Sequence, residues 1–160
     1  MRTEPYGKYL KYPDIRKELR TQVAELKHKL QKSQARWKVV YGHHPLHTKG
    51  RGHSEEALRL KNEYGLEDVF AEGGVDAYFA GHEHVFQHHQ SRGVHHFVCG
   101  ASCRRFFYRG ADSSIPIDWY DESFSTGVVL LSIEWDRIEV KFLKSPTADL
   151  IKQVIITKSE

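Results

Sequence analysis

His82 and His84 stand two residues apart in Gly81-His82-Glu83-His84, directly after the apolar run Val75-Asp76-Ala77-Tyr78-Phe79. Alternate residues of an extended segment share a face. Both imidazoles can therefore grip one metal ion, or one each of two adjacent ions. His43 follows a second strand-like run, Trp37-Lys38-Val39-Val40-Tyr41, and a glycine precedes it as one precedes His82. Imidazole suits zinc, iron and other transition ions. Three such ligands make either a mononuclear zinc site with an open position or part of a two-metal site whose carboxylates lie elsewhere.

The elements that must bring these histidines together are legible as patterns. Ile15, Leu19, Val23, Leu26 and Leu30 form one apolar stripe at helical spacing. The stripe predicts a helix from Asp14, its N-cap, to about Ser33. The run 37–41 reads as a buried strand entering Gly42-His43-His44-Pro45. Ser54 with Glu55 and Glu56 reads as a helix start, with helix to about Phe70 and a break at Gly65. The run 75–79 is the next strand. Strand, loop, helix, strand is a βαβ unit with parallel strands. Both histidine loops then fall at the carboxyl edge of the sheet, where open α/β sheets build their sites. Two hairpins follow, 86–90 with 95–98 and 126–134 with 138–143, and then a last strand over 149–157. Residues 100–124 read as a long loop.

Composition narrows the class. The chain has 160 residues, enough for one domain with a real core. Net charge is +3, with acids and bases interspersed, so a solvated mixed-charge surface is expected rather than a nucleic-acid face. No apolar run approaches a membrane span. Residues 1–5 carry no signal core, so any secretion signal is expected upstream. Cys99 and Cys103 make no disulfide framework and are expected as buried thiols. Eleven histidines are the unusual count. His88-His89 and His95-His96, on the arms of the first hairpin, are expected to be exposed strand residues. His28 is expected to be solvated, and His47 stays open.

The segment 37–45 together with Gly81-His82-Glu83-His84 resembles the last two metal-ligand motifs of calcineurin-like metallophosphoesterases. Within that superfamily it is most similar to the small purple, or tartrate-resistant, acid phosphatases. Thr3-Glu4-Pro5-Tyr6-Gly7-Lys8-Tyr9, the helix through 26–30, and Gly100-Ala101-Ser102 resemble further family segments, so the likeness runs along the whole chain. It implies an α/β fold: half of a four-layer αββα sandwich, with the βαβ unit followed by antiparallel strands. Residues 1–160 would form the carboxyl-terminal half of a single domain.

The resemblance also implies chemistry. His43 and His82 would ligate the second metal (zinc, manganese or ferrous iron), and His84 the first, a ferric ion. His53 resembles the histidine that contacts substrate phosphate and protonates the leaving group. His44 is expected not to be a ligand. The substrate would be a phosphate monoester, and a ferric ion with a cationic histidine suits an acidic optimum. Glu83 stands where the family has Asp. The first-half motifs, Gly-Asp-x-x-Tyr and Gly-Asn-His, do not occur: the sequence has no Gly-Asp pair, and Asn62 is its only asparagine. The missing amino-terminal half is therefore the expected partner, and this chain alone is expected to be inactive. A secreted, lysosomal or vacuolar location is implied by the family only.

Overall fold

The structure is a computed structural model that describes residues 13–49, 54–102, 117–121, 123 and 125–158. His53, Cys103 and the opening segment lie outside the described residues. In chain order the described elements are α1 (Pro13–Lys32), β1 (Val39–Gly42), α2 (Ser54–Asn62), α3 (Leu66–Glu72), β2 (Ala77–Ala80), β3 (Phe86–Ser91) and β4 (Val94–Cys99). They continue with β5 (Trp119–Tyr120), β6 (Gly127–Ile133), β7 (Arg137–Lys144) and β8 (Leu150–Thr157).

The strands form two sheets, ordered β1-β2-β4-β3-β5 and β6-β7-β8. β1, β2 and β4 are parallel, while β3 runs antiparallel to β4 and to β5. The helices pack on one face of the first sheet, joining Leu19, Leu30, Phe70 and Tyr78 in one core. The second sheet covers the other face, where Phe86, Phe97, Ile138, Val140 and Phe142 meet. Fully burying one such side chain contributes roughly 1.5–3 kcal/mol. This is the helix–sheet–sheet part of the expected sandwich, with mixed and then antiparallel strands.

The ends of the elements are fixed by polar contacts. The Lys38 ammonium donates to the carbonyls of Leu30 (3.0 Å) and Gly73 (2.9 Å), at the carboxyl ends of α1 and α3, where the helix dipole is negative. The Asp76 carboxylate accepts from the Lys38 backbone N–H at 2.8 Å, and Lys158 lies 2.6 Å from its other oxygen. Together these contacts lock the starts of β1 and β2 side by side.

Two sequence expectations are corrected here. Asp14 lies inside α1, which begins at Pro13, so it is not the cap; proline suits the first helical turn because its missing N–H would be unpaired there anyway. His88 and His96 are buried, at 9% and 3% exposure, and His89 and His95 are half-buried. β3 and β4 lie inside a sheet covered on both faces, so both sides of the hairpin are largely shielded from water. The loop 100–124 also contains β5, too short for a pattern to reveal. Cys99 is a free thiol packed between the sheets, and burial pushes its pKa up to about 12.

Candidate metal centre

Gly42 pairs with Ala80 as the last register step of β1 and β2. The two histidine loops therefore leave the sheet at the same level. The Gly81 N–H donates to the His43 carbonyl at 3.0 Å, lacing them together. His82 has φ of +64°, a left-handed conformation that a side-chain-bearing residue adopts at a cost and that clusters at functional sites. Its Nδ1 lies 3.1 Å from His43 Nε2, across a sequence gap of 39 residues.

His44 completes the group. Its ring centroid lies 4.8 Å from that of His43 and 4.2 Å from that of His82. One ligand atom from each of His43, His44 and His82 falls within 4.8 Å of the others. His43 is exposed, His82 half-buried and His44 buried, so the cluster is rooted in the protein and open on one side. The Tyr78 hydroxyl donates to the His44 carbonyl at 2.7 Å. Burial raises the Tyr78 pKa, which keeps the phenol protonated as a donor.

His84 is half-buried on the same loop as His82 but outside the three-histidine group. Between them Glu83 is fully buried, and its N–H donates to the Gly81 carbonyl at 2.7 Å. Gly100 backs this loop: a Cβ there would stand 2.0 Å from the Glu83 carbonyl oxygen. The glycine is thus required by close approach of two backbones. His44 was set aside by the sequence pattern, although it is the residue next to His43 at the strand end. That adjacency was the available signal.

The donor set fits a transition ion: three imidazoles, converging at one sheet edge. Among the described residues, no carboxylate joins the group. β1 is an edge strand in the described sheet. Beside it a groove of about 300 Å³ is lined by Gln22, Leu26, Lys29, Val39 and Tyr41, among others. Tyr41 is 75% exposed. β2, by contrast, is interior to the sheet.

A parallel-strand edge thus carries three converging histidines with the chemistry to hold a metal ion. The family model described as calcineurin-like phosphoesterase matches residues 4–86, just over half of the chain, and the chain belongs to that family. Purple acid phosphatase 17 of Arabidopsis thaliana is 41% identical over 64 residues, which span 40% of this chain and 18% of that protein. Two solved structures share the fold. GAP50, the anchor in the inner membrane complex of Plasmodium, has a TM-score of 0.72 at 20% identity, covering 93% of this chain and 45% of its own. A purple acid phosphatase from yellow lupin (Lupinus luteus) seeds has a TM-score of 0.65 at 16% identity, covering 85% and 28%. The chain thus spans less than half the length of these relatives.

Proposed function

We propose that this chain is the histidine-bearing carboxyl-terminal half of an acid phosphatase domain that hydrolyses phosphate monoesters at a dinuclear centre, Fe(III) with Fe(II), zinc or manganese. The observation that carries this reading is the 3.1 Å approach of His82 Nδ1 to His43 Nε2 at the carboxyl edge of two parallel strands. His43 and His82 would hold the divalent ion, and His84 the ferric ion. Such a pair of ions acidifies water and neutralises phosphate charge during in-line displacement. His53, ten residues after His43 in the sequence, would give a proton to the leaving oxygen. Bridging carboxylates would come from an amino-terminal half that pairs along β1. The exposed Tyr41 and the groove beside β1 support that pairing. A secreted, lysosomal or vacuolar location belongs to the same proposal.

One observation favours a second reading. His44, not His84, joins His43 and His82 in the compact group, which suits a mononuclear three-histidine zinc site. The two readings are separated by a chimera that places family segments with the Gly-Asp-x-x-Tyr and Gly-Asn-His motifs ahead of this chain. The dinuclear reading expects two metals per chain and hydrolysis of an aryl phosphate at acidic pH, both lost in His82→Ala. A folded chimera with one metal and no turnover overturns it.

A further inference from the structure

We propose that His47, His89 and His96 form a second, mononuclear site for a zinc-class divalent ion, on the helix-facing side of the first sheet and separate from the strand-end cluster.

His89 and His96 are direct cross-strand partners of β3 and β4, so their side chains share one face of the sheet at close range. His47 lies over them. Its ring centroid is 4.6 Å from that of His89 and 4.6 Å from that of His96. In a tetrahedral three-imidazole zinc site, zinc–nitrogen bonds of about 2.0–2.1 Å place ring centroids about 5 Å apart. The two spacings from His47 are already close to that value, and His89 and His96 are direct cross-strand partners, so ligation requires chiefly that the rings turn their nitrogens inward. His47 meets His89 at 54° and His96 at 64°, and the ring nitrogens lie further apart than those of His43, His44 and His82.

The outer contacts match a metal-ligating set. His47 Nε2 lies 2.9 Å from Glu67 Oε1, which also accepts from the Ser91 hydroxyl at 2.7 Å. His89 Nδ1 faces Asp118 Oδ2 at 3.5 Å, close but without a hydrogen bond. A carboxylate behind a histidine fixes the ring and raises its basicity toward a metal on the other nitrogen. His96 has no such partner: both of its ring nitrogens are buried without a hydrogen bond. A buried polar atom left unpaired is destabilising, and a ligated ion removes that penalty at one nitrogen. Burial also lowers the pKa of His47 to about 4 and of His96 to about 3, so both rings are neutral, as ligation requires. Glu67 also meets the Lys61 ammonium at 3.2 Å and the field of the Arg92 guanidinium, while Asp118 faces His89. His47 and His89 keep 10% and 13% side-chain exposure, so the site is reachable from solvent.

The test uses the full chain with His43→Ala and His82→Ala, so that the strand-end cluster does not contribute and the outcome is independent of the phosphatase reading. Cobalt(II) and zinc(II) are added separately. Binding is measured by equilibrium dialysis with metal analysis, and cobalt by its visible ligand-field bands. The expected result is one ion per chain with a tetrahedral-type cobalt spectrum, lost in His89→Gln or His96→Gln and kept in His95→Gln. If His96→Gln loses native circular dichroism, Asp118→Asn decides instead, because Asp118 is half exposed. It should lower affinity by roughly 10–100-fold. No retained ion in the double variant, or unchanged affinity in His96→Gln or Asp118→Asn, overturns the proposal.

Discussion

His82 Nδ1 and His43 Nε2 approach to 3.1 Å from loops that end neighbouring parallel strands. A group that only supports a metal ligand is worth roughly 10–100-fold in affinity, and removing a ligand itself should exceed that. His82→Ala is therefore expected to weaken zinc binding at the strand-end cluster by more than 100-fold. Calorimetric titration in a background with His89 and His96 replaced by Gln reads this cluster alone. An unchanged dissociation constant would remove His82 from the site.

Gly100 sets the position of the His82–His84 loop. Gly100→Ala puts a Cβ 2.0 Å from a backbone carbonyl that cannot swing away as a side chain would. Overpacking of this kind costs about 1–3 kcal/mol. Urea unfolding should show that loss, and zinc binding should weaken with it although no ligand is altered.

Most of the fold was legible because its patterns are strong. The stripe through Leu19, Val23, Leu26 and Leu30 gave α1, and the two apolar runs ending in Gly-His gave the βαβ unit. The Gly65 break appears as the boundary between α2 and α3. What stayed hidden has physical causes. β5 is two residues long and exists only by pairing with His88 and Gln87 of β3. The hairpin histidines look like solvent-facing strand residues, because their burial depends on which sheet lies above and which helices lie below. His44 and His84 differ in whether each joins the cluster, and that depends on loop conformation, including the left-handed His82, which no spacing rule encodes.

Acid should weaken the apoprotein. Burial lowers the pKa of His47 and His88 to about 4 and of His96 to about 3. The unfolded chain therefore takes up more protons below the usual histidine range, so this stability is complete above about pH 6.5 and declines as pH falls toward 4. Burial opposes ionisation of Glu67, but Ser91, His47 and Lys61 outweigh it and hold its pKa at about 2. Its contribution, about 3 kcal/mol at most, is present above pH 4.5 and lost between 4.5 and 2. Thermal midpoints measured in chelator from pH 7.5 to 4 should fall steadily below 6.5. His88→Gln should flatten part of that slope.

Edge strand β1 with the exposed Tyr41 should make the isolated chain self-associate, since unpaired strand edges recruit other strands. Tyr41→Lys is expected to shift light scattering toward monomer while leaving circular dichroism intact. Association unchanged by this substitution would place the sticky surface elsewhere.

In a completed enzyme, His53→Ala should lower turnover by roughly 10²–10⁴, the range for a general acid, and flatten one limb of the pH profile. Full turnover with the same profile would remove His53 from proton transfer.

Under the proposed function, this chain would carry the histidine half of a two-metal phosphatase and would need the other half for chemistry. The most direct measurement is the hydrolysis of an aryl phosphate at acidic pH by purified residues 1–160 loaded with iron and zinc. The predicted result is metal binding that depends on His43 and His82, without turnover. Turnover at the rate of complete purple acid phosphatases, abolished by His84→Ala, would overturn the proposed division of the site between two halves.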